Sequence, residues 1–310
     1  MPLDPEAQRL LDTLARIGLP PIEQLTLQQA REQHDISTVV PALPKALELI
    51  TDGTLPGPNK EIPIRKYIAT EKEKIAPICV YFHGGGWVLG NIDTHDALCR
   101  RLAEEINGIV VSVDYRLAPE HPYPAAADDA DAALQGVALR ASEWGGDAGS
   151  IFVAGDSAGG NLAAVSTLMA RDRGGVLPVG QVLAYPITDC NFDTPSYLQC
   201  AQGYMLTRKA MRWFWTQYAP EQDRAKEPYA SPLRASTHEG LPPTLIQTAE
   251  YDPLRHDGEN YAQALADDGV DVQLTHYQGM LHGFLRRTAQ FHQAETAMQE
   301  IRTFVKRICG

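Results

Sequence analysis

From about residue 76 onward, short apolar runs rich in β-branched and aromatic residues alternate with longer segments of helical periodicity. Each run is too short for a typical helix and is bounded by Gly or Pro. This alternation predicts βαβ units around a mainly parallel twisted sheet, with helices on both faces. The predicted strands are 78–82, 109–114, 151–154, 181–185, 244–248 and 272–276.

Two stretches interrupt the alternation. Residues 1–50 have helical periodicity and no strand pattern, and residues 187–228 are dense in aromatic side chains. Apolar helical material inserted after a central strand commonly forms a cover over a binding site. We therefore predict a core of 51–186 and 229–310 with a helical cap from the other two stretches. The alternative is that most of these aromatic side chains fill a small core of the insertion itself.

The segment Gly155-Asp156-Ser157-Ala158-Gly159 follows one predicted strand and precedes a helical pattern. This is the setting of a G-x-S-x-G nucleophile elbow, in which the turn leaves no room for a Cβ on either side of the serine. The free N–H groups at the start of the helix would face an oxyanion formed at Ser157. The alternative, a strand-to-helix turn with a capping serine, is disfavoured by these flanking elements.

The run HGGGW at 83–87 follows the first predicted strand, at the sheet edge where open α/β sheets bind ligands. Successive glycines let backbone N–H groups approach a bound carbonyl. We expect an oxyanion hole from Gly84, Gly85 and Gly86 with Ala158, and prefer the N–H groups of Gly85, Gly86 and Ala158. A phosphate-binding loop is disfavoured because neither G-K-[ST] nor G-x-G-x-x-G follows.

A serine nucleophile needs a base and a third group that orients it. In α/β hydrolases these follow in the order Ser, Asp or Glu, His. Asp252 follows the predicted strand 244–248 and His282 follows 272–276, so both should reach the sheet edge that carries Ser157. We predict these three as the catalytic triad. The competing candidates are Glu250 and Asp257 for the acid, and His256, His276 and His292 for the base.

The composition argues against several other functions. The net charge of -12, with scattered Lys and Arg, disfavours nucleic acid. The N-terminus lacks the apolar core of a signal peptide and no run could cross a bilayer, so we expect a cytoplasmic protein without membrane insertion. Five cysteines without CxxC spacing predict free thiols, with a Cys190–Cys200 pair as the alternative. The histidines show no metal-ligand spacing, so no metal or cofactor is expected.

Several motifs resemble those of the hormone-sensitive-lipase-like carboxylesterases, bacterial family IV of the α/β-hydrolase superfamily. They are HGGGW at 83–87, DYRLAPEHPYPAA at 114–126, GDSAGGNLAA at 155–164, YDPL at 251–254 and LHGF at 281–284. The resemblance implies an α/β-hydrolase fold with a helical cap that shapes the acyl pocket. It also implies the triad Ser157, Asp252 and His282.

The implied activity is hydrolysis of short- to medium-chain acyl esters through an acyl enzyme, with a small ester as the binding partner. The candidate substrate-binding residues are Trp87, Tyr185, Leu206, Trp213 and Phe214. An amidase or deacetylase would use the same triad, and a non-catalytic receptor similar to the plant gibberellin receptor would use the same fold. The sequence leaves the oligomeric state open, with a homodimer among the options.

Overall fold

The computed structural model describes residues 2–38, 47–69 and 76–310. Within these residues eight strands form one sheet. The strands are β1 (Leu49–Leu55), β2 (Ile62–Ile68), β3 (Ala76–Phe82), β4 (Ile109–Val113), β5 (Gly146–Asp156), β6 (Gln181–Ala184), β7 (Thr244–Tyr251) and β8 (Val272–Leu281). Their order across the sheet is β1-β2-β4-β3-β5-β6-β7-β8.

The sheet is mainly parallel, as the alternating pattern predicts. Strand β2 runs antiparallel to both β1 and β4, and the remaining neighbours are parallel. The six predicted strands coincide with β3 to β8. Strands β1 and β2 were not predicted, and β1 begins at Leu49, inside the stretch 1–50 expected to be strandless.

Helices cover both faces of the sheet. They are α1 (Pro5–Ile17), α2 (Leu27–Thr38), α3 (Asp96–Ile106), α4 (Ala125–Arg140), α5 (Ala158–Arg173), α6 (Pro195–Gln199), α7 (Arg208–Tyr218), α8 (Gln222–Ala225), α9 (Arg255–Asp267) and α10 (His292–Cys309). Alternate residues of β3 enter two apolar cores: Val80 joins the core with α4 and α5, and Tyr81 joins the core with α3 and α10. Burial on both faces explains why the central strands read as unbroken apolar runs.

The two predicted cap stretches are mostly helical where the structure describes them. The first contains α1 and α2, and the second contains α6, α7 and α8 without a strand. Helix α7 contacts the short 3-10 turn Ile22–Gln24, so the two stretches meet. Residues 39–46 of the first stretch lie outside the described residues.

All five cysteines are free, so Cys190 and Cys200 form no disulfide. None of the helices that the structure describes combines the length and the apolar character needed to cross a membrane.

Candidate active site

Ser157 sits at a strained turn between β5 and α5. Its backbone has φ 58° and ψ -118°, and its side chain is almost fully buried. A Cβ on Gly155 would lie 2.2 Å from the carbonyl oxygen of Gly159, and a Cβ on Gly159 would lie 1.9 Å from that of Phe82. Real Cβ atoms do not approach backbone oxygens so closely, which explains both glycines of the motif.

His282 and Asp252 reach Ser157 from the two neighbouring strand ends. Asp252 follows β7 directly and His282 follows β8 directly. His282 Nε2 lies 3.0 Å from Ser157 Oγ, and His282 Nδ1 lies 2.7 Å from Asp252 Oδ2. With its proton on Nδ1, the imidazole donates to the carboxylate and accepts from the serine hydroxyl. Asp252 is fully buried, and its Oδ1 accepts the N–H of Leu254 at 2.8 Å.

The competing acids are occupied elsewhere. Glu250 accepts the N–H of Gly279 at 2.7 Å. Asp257 is buried in the first turn of α9, where its Oδ2 accepts the N–H of Thr188 at 3.1 Å. Burial raises the pKa of Asp257 well above its ordinary range. Neither carboxylate is hydrogen-bonded to His282.

The competing histidines also lie apart from Ser157. His276 is within β8 and its Nδ1 lies 3.1 Å from Thr248 Oγ1. His256 Nδ1 accepts the N–H of Ser196 at 3.2 Å, and His292 begins α10. The arrangement thus brings together the predicted Ser157, Asp252 and His282 and leaves the alternatives outside.

The glycine run supplies free backbone donors next to Ser157, with one correction. The N–H of Gly84 donates to Asp156 Oδ1 at 2.9 Å, so Gly84 is not available as an oxyanion donor. Within the described residues, the N–H groups of Gly85, Gly86 and Ala158 donate to no acceptor. Gly85 and Gly86 have φ of 121° and 62°, values that residues with a Cβ atom rarely adopt.

A buried polar cluster holds this loop from behind. Asp156 Oδ1 accepts the hydroxyl of Tyr81 at 2.6 Å in addition to the N–H of Gly84, and lies 3.3 Å from His95 Nε2. The Nε of Arg286 lies 3.8 Å from Asp156 Oδ2. Burial opposes ionisation of this carboxyl, but His95, Arg286 and Tyr81 together hold its pKa below the ordinary range. Asp156 is therefore an ionised anchor for the glycine loop.

A cavity of about 780 Å³ opens at Ser157 and His282. Its lining includes Leu11 and Leu14 of α1 and Met211 of α7, so both cap stretches contribute. Leu206 and Phe214, two of the predicted substrate-binding residues, also line it.

The other three predicted substrate-binding residues do not line this cavity, which corrects their assignment. Trp87 has φ 60° and is fully buried, with its ring stacked 4.1 Å from that of Tyr218. Tyr185 is buried, with its ring 4.8 Å from that of His282. Trp213 packs edge-on against Phe214.

Three residues of the site escaped the sequence analysis. The signal for Asp156 was its place inside the elbow motif, directly before Ser157. The signal for Arg286 and Arg287, which both line the cavity, was a pair of positive charges directly after LHGF. In residues 2–38, 47–69 and 76–310 the structure contains no group of three or more His, Cys, Asp or Glu side chains able to hold a metal ion.

The sequence matches the family described as alpha/beta hydrolase fold over residues 79–286. The chain belongs to this family. Carboxylic ester hydrolase LipN of Mycobacterium tuberculosis is 42% identical over 291 residues, which is 91% of this chain and 77% of LipN. The solved structure of a hyperthermophilic esterase from the archaeon Pyrobaculum calidifontis is 42% identical, with a TM-score of 0.94 over 99% of each chain. The family predicted from the sequence motifs is thereby confirmed.

This α/β hydrolase is also similar to a protein with a binding role. The gibberellin receptor GID1A of Arabidopsis thaliana is 34% identical over 245 residues, which is 76% of this chain and 70% of the receptor. Family membership alone therefore does not separate catalysis from binding, and the site has to be judged by its own geometry.

Proposed function

We propose that this α/β hydrolase is a carboxylesterase that forms an acyl enzyme at Ser157, with His282 as general base and Asp252 as the carboxylate that orients it. The observation that carries the proposal is the position of His282, whose two ring nitrogens contact Ser157 Oγ at 3.0 Å and Asp252 Oδ2 at 2.7 Å. A weak hydroxyl nucleophile is activated by such a base.

The reaction then runs in two halves. His282 Nε2 accepts the serine proton as Oγ attacks the ester carbonyl, and the protonated imidazole donates that proton to the departing alcohol. Water repeats the sequence on the acyl enzyme. The N–H groups of Gly85, Gly86 and Ala158 stabilise the negative oxygen of both tetrahedral intermediates, each contributing on the order of 3 kcal/mol.

The cap accounts for a preference for short to medium acyl chains. Apolar side chains of α1 and α7 line the cavity next to Ser157. Each added methylene that becomes buried there contributes up to about 0.8 kcal/mol, until the cavity is full. A longer chain must displace Phe214 or Leu206 or remain in water.

Two other functions predict different behaviour. A receptor on this fold needs a pocket but no base, and the hydrogen bonds of His282 to both partners favour catalysis. An amidase would use the same side chains, so only the leaving group distinguishes it. Hydrolysis of p-nitrophenyl acetate, butyrate, octanoate and laurate, compared with butyric p-nitroanilide, separates an esterase with a short-chain preference from an amidase.

The decisive test is the variant Ser157→Ala with p-nitrophenyl butyrate as substrate. We expect a loss of kcat on the order of 10⁴-fold or more, with an unchanged circular dichroism spectrum. An alkyl phosphonate p-nitrophenyl ester should add its phosphonyl group to the wild type, seen by intact mass, and not to the variant. Ser236→Ala, which removes the hydroxyl of an exposed serine, serves as the control for both measurements. Near-normal turnover by Ser157→Ala would refute the assignment.

A further inference from the structure

Arg287 is a buried cation in the active-site cavity that the proposed chemistry does not use. It ends the 3-10 turn Phe284–Arg287, which follows His282 in the chain. Its side chain is 7% exposed, and it lines the same cavity as Ser157 and His282. The proposed catalytic steps require a nucleophile, a base and N–H donors, and none of them uses the positive charge of an arginine.

The guanidinium of Arg287 has few partners among the residues that the structure describes. Its guanidinium makes one hydrogen bond, from Nη1 to Gln290 Oε1 at 3.0 Å, although it has five N–H donors. Among the residues that the structure describes, no carboxylate forms an ion pair with it. Burial, reinforced by Arg286, lowers the pKa of Arg287 to about 10, which still leaves it charged at neutral pH. A buried charge is costly unless a partner neutralises it.

The other charged groups of the cavity do not supply that partner. Asp156 is buried but is shared by Arg286, His95 and Tyr81. Asp12 is exposed on α1 and Glu23 is partly exposed, so water screens both carboxylates. Asp252 does not line the cavity and is engaged by His282. Of the two arginines in the lining, the partly exposed Arg286 is paired with Asp156, and the buried Arg287 has no ion-pair partner among the described residues.

We propose that Arg287 recognises a carboxylate on the substrate, so that this protein hydrolyses esters of dicarboxylic acids in which the second carboxyl group is free. The inference rests on the proposed esterase function and specifies its substrate class. Ser157 attacks the ester carbonyl, the alcohol leaves, and water releases the dicarboxylate, while the second carboxylate stays bound and unchanged. The planar guanidinium suits this role because it offers two parallel N–H groups to a carboxylate.

The test compares pairs of ethyl esters that differ only in charge. One member is monoethyl succinate, glutarate or adipate, and the other carries an isopropyl group in place of the free carboxylate. Initial rates in a pH-stat give the ratio of kcat/KM for the anionic ester to that for the neutral ester. We expect a ratio near or above one for at least one chain length in the wild type.

The variants then assign that ratio to Arg287. Arg287→Met should lower the ratio by about tenfold or more, because the neutral ester loses no ionic contact. Arg287→Lys should restore part of it. Arg302→Met, which removes an exposed arginine of α10, should leave the ratio unchanged and controls for the net charge of the protein.

Specific outcomes would overturn the inference. A ratio far below one at every chain length in the wild type refutes it, as does an equal loss for both esters in Arg287→Met, which would mark a packing role. If Arg287→Met does not fold, the inference is tested by measuring how dicarboxylates inhibit the hydrolysis of p-nitrophenyl butyrate by the wild type. Competitive inhibition by adipate or glutarate that weakens with added NaCl supports the proposal, and its absence refutes it. Failure of the esterase function itself would appear separately, as no hydrolysis of p-nitrophenyl butyrate.

Discussion

The strand-end loops and the N-terminal helices border the same cavity but are held in place very differently. The loops after β3, β5, β7 and β8 are fixed by buried hydrogen bonds such as those of Asp156 and Asp252. Helix α1 buries only Ala7 among its thirteen residues, and most of its surface faces solvent or the cavity. Few buried contacts hold α1, so we expect its position to vary more than that of the loops. Changes in the loops should alter rate, and changes in the helices should alter substrate range.

The largest expected effect tests the loop side of this comparison. His282→Ala removes the proposed proton acceptor of Ser157, so kcat for p-nitrophenyl butyrate should fall on the order of 10⁴-fold. The matched variant His292→Ala removes a histidine at the start of α10, outside the cavity, and should stay within about twofold of the wild type. Comparable losses in the two variants would mean that the base has been misassigned.

A smaller effect should follow from loosening the glycine loop. Asp156→Asn removes the charge that attracts Arg286 and weakens the anchor of the Gly84 N–H. Because displaced oxyanion donors lose much of their effect, kcat should fall by roughly 10- to 100-fold with a smaller change in KM. Asp147→Asn, near the start of β5, where the carboxylate accepts the hydroxyl of Ser150, is the control. If KM rises in Asp156→Asn while kcat stays unchanged, Asp156 acts in substrate binding and not in positioning the loop.

The same contrast explains what the sequence could predict. The positions of Ser157, Asp252 and His282 follow from local patterns, since each lies directly after an apolar strand and parallel strands end at one edge. Strands β1 and β2 carry polar residues such as the exposed Asp52 and the partly buried Arg65, so they lack the unbroken apolar runs of the central strands.

Side-chain direction in the loops was harder to predict. Trp87 follows the glycine run, but a positive φ turns its ring into the core against Tyr218 instead of into the cavity. Gly84 looks equivalent to its neighbours in sequence, and only the fold shows that its N–H faces Asp156. These outcomes depend on contacts between distant segments, which spacing along the chain does not encode.

The buried His83, in the loop after β3, should also make the stability of the protein depend on pH. Burial lowers the pKa of His83 to about 3, and its Nδ1 lies 2.8 Å from the carbonyl oxygen of Gly84. The unfolded chain binds a proton at His83 below about pH 6.5, whereas the folded protein does not, so stability falls as pH drops from 6.5 toward 3. The slope from this group is up to about 1.4 kcal/mol per pH unit.

The variant His83→Asn isolates this contribution, since an asparagine amide nitrogen can take the place of Nδ1 without titrating. Urea unfolding at pH 7 and pH 5 should show a smaller loss of unfolding free energy in the variant than in the wild type, by about 1 to 2 kcal/mol. His292→Ala should keep the wild-type difference. Identical pH dependence in wild type and His83→Asn would show that His83 is not held neutral by the fold.

The smallest expected effect concerns Arg31, one of the residues that join the two regions. From α2, its Nε donates to the carbonyl oxygen of Val88 at 3.0 Å and its Nη2 to that of Ala118 at 3.1 Å. Both Nη atoms reach the carboxylate of Glu120 at 2.7 Å. Val88 lies just after the glycine run, so this arginine ties α2 to the loop that carries Gly85 and Gly86.

If the cap governs substrate range and the loops govern rate, Arg31→Met should lower kcat/KM by roughly three- to tenfold for p-nitrophenyl octanoate. The loss should be smaller for the acetate, whose short acyl group has less apolar surface to bury. Glu120→Gln keeps the bonds to both carbonyl oxygens and removes only a half-exposed ion pair, so it should cost under about 1 kcal/mol for either ester. The measurement is kcat/KM for acetate, butyrate and octanoate esters in the three proteins. An equal loss for all three esters in Arg31→Met would contradict the division between the regions, because Arg31 would then act through Val88 on the oxyanion loop and not through the position of the cap.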